Sequence, residues 1–182
     1  MEFIKVNHKN YEKYKKEFIS IYQNIFSQAP YFEIFTEDEV EVIYNLSLFE
    51  KNILLLALNN NQIVGFALGV QLSKYNNNSL KQLLSKKFNL DDILYNAELG
   101  VVSEYRGMGI GNNLILKRIE FAQKNNYKIV CMRTKKEGSM SMSLYKKLGF
   151  KFLKDSEHIV NTKKSISGIE DVRVILYKRI NS

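Results

Sequence analysis

The chain has 182 residues, of which 45% are hydrophobic and 25% charged, and its formal net charge is +8. This profile is typical of one globular domain. It excludes a disordered chain and, since no apolar run reaches the roughly 20 residues that span a bilayer, a helical membrane protein. The positive charge favours anionic partners, but it does not separate nucleic acid from a phosphorylated cofactor.

The first part of the chain predicts a short strand and two helices. Residues 3–7 favour the strand, and apolar residues at helical spacing from Tyr11 onward predict a helix that Pro30 stops. Thr36 and Glu39 are spaced as in a capping box, which predicts that the second helix starts at Thr36.

A hairpin and a surface segment are predicted next. Apolar runs on both sides of Asn59, Asn60 and Asn61 predict a β-hairpin, because asparagine tolerates left-handed turn geometry. Residues 73–92 are rich in lysine and asparagine and carry a weak helical stripe, so we predict a surface insertion. We predict that residues 1–182 form a single domain and that this segment is an insertion within it.

The rest of the chain alternates strands with helices. A strand leads into a glycine-rich loop, which is followed by a helix to about Asn125, another strand, a short helix and strands up to the end. This order predicts an α/β fold in which a mixed sheet has helices on both faces.

The loop RGMGIG, residues 106–111, contains three of the nine glycines of the chain. A turn that joins a strand to a helix N-terminus presents main-chain N–H groups to an anion, and glycine has no Cβ to keep a phosphate away. Arg106 adds a fixed positive charge. The loop therefore predicts an anion site, with a tight connection that binds nothing as the alternative.

Two common phosphate-binding motifs do not fit this loop. A Walker A loop would continue with Gly-Lys-Ser or Gly-Lys-Thr, which is missing. A dinucleotide fingerprint would place a glycine at Asn112 and an acidic residue near Arg133, at the end of the next strand. Kinase, ATPase and dinucleotide-dependent functions are therefore not favoured.

Two ordered motifs resemble the GNAT superfamily of N-acetyltransferases. The stretch LGVVSEYRGMGIGNNLI is similar to the acetyl-CoA loop of that family, with Arg106, Gly109 and Gly111 at the characteristic positions. Further on, SLYKKLGF resembles the short helix and strand of the family. The resemblance implies an α/β (α+β) fold with a mixed, mostly antiparallel central sheet of about six to seven strands and helices on both faces.

The resemblance also implies acetyl-CoA as the co-substrate. Its pyrophosphate would lie on the amides of the loop, its pantetheine arm would pair with the adjoining strand, and a bulge at Gly100 would open that strand. The implied cofactor-binding residues are Leu99, Val101, Arg106, Gly107, Met108, Gly109, Ile110, Gly111 and Asn112.

The implied reaction is direct transfer of an acetyl group to a primary amine, so the protein would be an acyltransferase. Glu98 is the candidate base, and Tyr145 is the candidate acid for the departing sulfur. Glu98 could instead be a solvated or salt-bridged strand residue, and Tyr145 a core residue. A main-chain N–H near Val101 would stabilise the oxyanion.

The acceptor implied is a small-molecule amine or an amine of a peptide or protein. Tyr31 and Phe32 are the substrate-site candidates, with core packing as their alternative.

A catalytically silent acyl-CoA-binding sensor or interaction module of the same fold is the alternative function. Nucleic-acid binding is not favoured because no nucleic-acid motif is present, whereas a homodimer is expected from the family.

The remaining features have simpler interpretations. Cys131 lies among apolar strand residues and is predicted to be buried rather than nucleophilic. His8 and His158 lack metal-ligand spacing, so no metal site is predicted. Gly138 stands where the family often has a cofactor-binding asparagine, and we expect that contact to be lost. The N-terminus has no signal-peptide core, so a cytoplasmic location is expected.

Overall fold

The computed structural model describes residues 1–29, 31–136, 140–160 and 171–180. The described residues form five α-helices: α1 (Tyr11–Ser27), α2 (Glu37–Asn45), α3 (Asn78–Ser85), α4 (Ile110–Lys124) and α5 (Met140–Lys147). They also form eight strands: β1 (Glu2–Lys5), β2 (Ile53–Asn59), β3 (Gln62–Gln71), β4 (Ile93–Val101), β5 (Ile129–Lys135), β6 (Lys151–Phe152), β7 (His158–Val160) and β8 (Asp171–Arg179). Pro30 and Gly138, which the sequence analysis singled out, lie outside the described residues. Among the helices described, none combines the length and apolarity that crossing a bilayer requires.

The strands form one mixed sheet in the order β1-β2-β3-β4-β5-β8-β6, with β7 paired to β8. Strands β4 and β5 are parallel, whereas β1 is antiparallel to β2, and β5, β6 and β7 are each antiparallel to β8. The predicted mixed, mostly antiparallel sheet is confirmed. The described residues contain one strand more than expected because β7 has only three residues, too few to show a pattern in the sequence.

The chain divides into two compact units. Of the described residues, the first unit holds 1–68 and 98–117, and the second holds 69–97, 118–136, 140–160 and 171–180. Strands β3 and β4 and helix α4 contribute residues to both units. The single-domain organisation stays a prediction.

The core of the first unit is built around Phe66 of β3. Phe18, Tyr22 and Phe26 follow each other at four-residue spacing on α1, so they share one face of the helix. Their rings lie 5.0, 5.4 and 6.3 Å from the ring of Phe66, centroid to centroid. The predicted helix is therefore confirmed, and its apolar face packs against the sheet through aromatic contacts.

The ring of Phe66 also explains a glycine in β4. A Cβ built on Gly100 would lie 2.6 Å from Cζ and 2.8 Å from Cε1 of Phe66, well inside van der Waals contact. A residue with a side chain therefore does not fit at position 100 without moving the ring. The bulge predicted at Gly100 stays a prediction.

Two local sequence signals produce the structures they predict. Asn60 and Asn61 join β2 to β3 with φ values of 49° and 64°, in the left-handed region. Thr36 Oγ1 accepts a hydrogen bond from the N–H of Glu39 at 3.3 Å, and the N–H of Thr36 donates to Glu39 Oε2 at 3.0 Å. The hairpin and the capping box are thus both confirmed.

The segment predicted to be an insertion contains helix α3. Asn77 caps this helix by accepting a hydrogen bond from the N–H of Leu80, and Leu80 and Leu84 are buried. The weak helical stripe of the sequence therefore corresponds to a short amphipathic helix. That residues 73–92 are an insertion stays a prediction.

We expect Gly100→Ala to lower the free energy of unfolding by about 1–3 kcal/mol, the usual range for overpacking. Urea unfolding followed by circular dichroism measures the loss. In the double variant Gly100→Ala/Phe66→Leu the smaller side chain relieves the collision, so the combined loss should be less than the sum of the two single losses. Additive losses would contradict the steric explanation.

Candidate functional site

The glycine loop has the conformation that only glycine adopts easily. Gly107 has φ of 81° and Gly109 has φ of 78°, both left-handed. Gly111 lies in the first turn of α4, which begins at Ile110. Two of the three glycines are therefore required by the backbone, and the predicted order of strand, loop and helix is confirmed.

The loop carries a row of main-chain donors. None of the N–H groups from Gly107 to Asn112 makes a hydrogen bond to another described residue, and the next N–H, that of Asn113, donates to the carbonyl of Gly109 at 3.0 Å. A Cβ at Gly107 would meet no atom within 4 Å, and residues 107–109 are exposed. Donors at a helix N-terminus suit a phosphate group.

Three hydrogen bonds hold this loop in place. The N–H of Val102 donates to the carbonyl of Val64 at 3.0 Å. Arg106 Nε donates to the carbonyl of Val101 at 3.0 Å, and Asn59 Nδ2 donates to the hydroxyl of Tyr105 at 3.2 Å. The loop donors are thus fixed in direction before any ligand arrives.

The candidates on β4 occupy the end of the strand. Glu98, Leu99 and Val101 are half-buried, and Glu98 interacts with another group of the chain. The parallel pairing of β4 with β5 covers residues 93–96 opposite 129–132 and ends there. The role of Glu98 as a base stays a prediction.

Tyr145 belongs to the second unit and is almost completely buried, with 1% of its surface exposed. Its hydroxyl accepts a hydrogen bond from Arg118 Nη2 at 2.8 Å, and its ring packs edge-on against Phe150 with centroids 4.8 Å apart. The phenol keeps its own proton for donation, because the bond from Arg118 uses only a lone pair of the oxygen.

Competing effects act on the Tyr145 phenol. Burial raises its pKa above the ordinary value of 10.0, and the neighbouring Cys131 acts in the same direction. The guanidinium of Arg118 and the amide of Asn96 lower the pKa, and burial outweighs them. The phenol is therefore neutral at physiological pH, as a general acid must be.

Comparison with known proteins establishes the family. Residues 13–150 match the Acetyltransferase (GNAT) family. The chain belongs to this family. No curated protein sequence matches it significantly.

Solved GNAT structures share the fold of this chain at low sequence identity. A ribosomal-protein-alanine N-acetyltransferase from Brucella melitensis has a TM-score of 0.73 at 14% identity, over 98% of this chain and 99% of its own. An acetyltransferase of the GNAT family from Streptococcus pneumoniae has a TM-score of 0.71 at 17% identity, over 99% of both chains. The protein yncA from Salmonella typhimurium, solved with its cofactor acetyl-CoA, has a TM-score of 0.73 at 12% identity, over 100% of this chain and 95% of its own.

The GNAT site residues predicted from the sequence fall into two groups. The first unit holds Glu98 and all nine cofactor-binding candidates, and a hydrogen bond joins Arg106 to Val101 within it. The second unit holds Tyr145, which the structure combines with Arg118 and Asn96. The roles assigned to these residues stay predictions.

Arg118 is a residue of this GNAT chain that the sequence analysis missed. Its side chain is fully buried although it is always charged. Helical spacing was the available signal, because Arg118 comes four residues after Leu114 and three after Ile115, both of them buried. A charged residue on the apolar face of a helix indicates a buried polar contact.

The two substrate-site candidates differ in their surroundings. The ring of Tyr31 packs against Phe26 with centroids 4.9 Å apart. Phe32 is 53% exposed and has φ of 51°, a left-handed conformation that an aromatic residue rarely adopts. Tyr31 is thus half-buried in an aromatic contact and Phe32 is exposed, and the substrate role of both residues stays a prediction.

The structure also shows the surroundings of the single cysteine and of the side chains that could bind a metal. Cys131 is fully buried, and burial raises the pKa of its thiol, which confirms the prediction of a buried hydrophobe. In the part of the chain that the structure describes, no group of three or more His, Cys, Asp or Glu side chains could hold a metal ion.

The buried thiol predicts a pH dependence of stability. Because burial raises the folded-state pKa of Cys131 above the ordinary 9.0, the unfolded thiol ionises first and stability falls as the pH rises past that value. We expect the stability difference between the native protein and Cys131→Ala to be constant below about pH 8 and to shrink above pH 9 by up to about 1.4 kcal/mol per pH unit. Urea unfolding under reducing conditions measures both curves, and parallel curves would contradict the prediction.

Proposed function

We propose that this GNAT protein transfers the acetyl group of acetyl-CoA to a primary amine of a small molecule or of a peptide or protein. The observation that carries the proposal is the row of N–H donors from Gly107 to Asn112, which makes no hydrogen bond to another described residue and begins on the exposed residues 107–109. Family membership supports it, as does the acetyl-CoA bound to the yncA structure. A cytoplasmic location and a homodimer stay predictions.

The loop fits the pyrophosphate of acetyl-CoA. A pyrophosphate needs several donors in a concave arrangement, and consecutive N–H groups at the start of α4 provide them together with the positive end of the helix dipole. Arg106 is held beside these donors by its bond to Val101. Its guanidinium would add charge at the same place.

The edge of β4 fits the pantetheine arm. Successive N–H groups of a strand point to opposite edges. Because the N–H of Val102 points to Val64 of β3, the N–H groups of Val101 and Leu99 point to the other edge. These main-chain groups would pair with the amides of the arm, and the N–H of Val101 would stabilise the negative charge that develops on the acyl oxygen.

The side chains of Glu98 and Tyr145 would move the protons. Acetyl-CoA would supply an activated acetyl group as a thioester. Glu98 would accept the proton of the amine, directly or through water, and the Tyr145 hydroxyl would donate a proton to the departing sulfur. Arg118 would then stabilise the phenolate that Tyr145 becomes, because its Nη2 already lies 2.8 Å from the phenol oxygen.

For the acceptor we propose a chemical class, which is a primary amine of a small molecule or of a peptide or protein. Two of the structurally similar proteins are named for the alanine residues of ribosomal proteins that they acetylate, and they support a peptide or protein amine. The exposed ring of Phe32 would contact an apolar part of such an acceptor. A screen for thiol release with acetyl-CoA against polyamines, amino acids, aminoglycosides and peptides tests the class of amine.

A second candidate function is a catalytically silent acyl-CoA-binding module. The observation that favours it is the burial of Tyr145, whose hydroxyl is already engaged by Arg118. This function predicts acetyl-CoA binding without thiol release in the presence of any amine.

We expect Gly109→Ala to weaken acetyl-CoA binding about tenfold, because alanine disfavours the left-handed conformation by roughly 1–2 kcal/mol and the free loop would relax out of its binding geometry. Calorimetry measures the affinity. Asn61→Ala is the matched control, since Asn61 has φ of 64° in the hairpin turn and no proposed role in binding. An equal loss of affinity in both variants would contradict the phosphate site.

We expect Tyr145→Phe to lower turnover by about 100-fold or more while leaving the affinity for acetyl-CoA unchanged, because the proton donor is removed and the ring is kept. The hydrogen bond to Arg118 is lost as well, so we also expect a loss of stability. Thiol release and calorimetry measure the two quantities, and urea unfolding reports any loss of stability separately. Unchanged turnover would show that Tyr145 is not the acid. Binding without turnover in the native protein, for every amine of the screen, would favour the silent module.

A further inference from the structure

The side chain of Asn96 is buried without the hydrogen bonds that a buried amide requires. Asn96 is 5% exposed, and neither its Oδ1 nor its Nδ2 has a hydrogen-bond partner in the described part of the chain. An unsatisfied buried polar atom costs about 1–3 kcal/mol, and such atoms are rare in folded proteins. This amide therefore indicates a partner that comes from outside the protein chain.

The position of Asn96 shows where that partner would lie. Asn96 is the last residue of β4 that pairs with β5, opposite Met132. Its amide lies next to the phenol of Tyr145 and lowers the pKa of that group, although neither amide atom makes a hydrogen bond of normal geometry to it. The guanidinium of Arg118 already donates to the phenol oxygen at 2.8 Å, so this oxygen does not depend on the amide of Asn96 for a donor.

We propose that the Asn96 amide binds the acyl-pantetheine end of the co-substrate, with Nδ2–H donating to a carbonyl oxygen and Oδ1 accepting an amide N–H. This proposal rests on the proposed function, which places the departing sulfur at Tyr145. An amide needs a partner that both donates and accepts, and the pantetheine arm offers both groups in its own amides. The nucleotide end also carries donors and acceptors on adenine and ribose, but the proposed function places that end at the glycine loop and the sulfur at Tyr145.

A binding role and a structural role predict opposite effects of removing the amide. If Asn96 is unsatisfied until the ligand binds, replacing it by apolar leucine of similar size removes the free-energy cost of a buried unsatisfied amide from the unliganded protein. The same replacement removes a hydrogen-bonding contact from the complex. If the amide is satisfied within the folded protein by the phenol of Tyr145 or by an ordered water, the same replacement destabilises the unliganded protein and leaves the ligand affinity unchanged.

The test compares Asn96→Leu with Asn52→Leu in the full chain. Asn52 is also 5% exposed, but its Nδ2 donates to the carbonyl of Leu46 at 2.9 Å, so it is a matched buried asparagine with a structural bond. Urea unfolding without ligand gives the stability of each variant. Calorimetry gives the affinities for acetyl-CoA, for CoA and for adenosine 3′,5′-bisphosphate, which lacks the arm.

We expect Asn96→Leu to be as stable as the native protein or more stable, and to bind acetyl-CoA at least about tenfold more weakly with unchanged binding of adenosine 3′,5′-bisphosphate. Asn52→Leu should be less stable and bind all three ligands as the native protein does. An equal weakening for acetyl-CoA and CoA places the contact on the pantetheine arm, and a larger one for acetyl-CoA places it on the acyl carbonyl. Both results support the proposal.

Three outcomes would overturn the inference. The first is a loss of stability in Asn96→Leu as large as that in Asn52→Leu, and the second is an unchanged affinity for acetyl-CoA. The third is a failure of both Asn96→Leu and Asn96→Ala to fold, since the amide would then be structural. A native protein that does not bind acetyl-CoA at all would instead overturn the proposed function, which separates the two failures.

Discussion

The main-chain turn at the start of α4 is the constraint on which the rest of the site depends. The left-handed conformations of Gly107 and Gly109 turn a row of N–H groups away from the protein, and no described residue satisfies them. Hydrogen bonds from Val102 and Arg106 fix the turn to neighbouring strands. Donors that are fixed in direction lose little entropy when an anion binds, so in the proposed site the backbone would supply affinity without any specialised side chain.

In the second unit, the candidate site consists of polar side chains that are buried together, rather than of main-chain donors. Burying the charge of Arg118 is unfavourable unless the charge is hydrogen-bonded, and the phenol of Tyr145 provides such a bond at 2.8 Å. The same bond makes the phenolate less unfavourable, although burial still raises the pKa of the phenol. The burial of the Arg118 charge and the pKa of the Tyr145 phenol therefore depend on the same pair of side chains.

The parts of the structure that the sequence predicted are those set by local chemistry. Thr36 and Glu39 form their capping box, and Asn60 and Asn61 form their turn, because each depends only on residues nearby in the chain. The glycine loop was predictable for the same reason. Arg118 and Asn96 were missed because their contacts come from residues far apart in sequence, and only the apolar spacing of α4 gave a signal for Arg118.

The close approach of Phe66 to Gly100 connects helix α1 with the edge of β4. No side chain separates the ring from β4, so the place of the strand edge that carries Leu99 follows the place of the ring. The ring itself is set by Phe18 and Tyr22 of α1. A change in that helix that moved the ring would therefore be transmitted to this edge of β4, although no residue of the helix belongs to the strand.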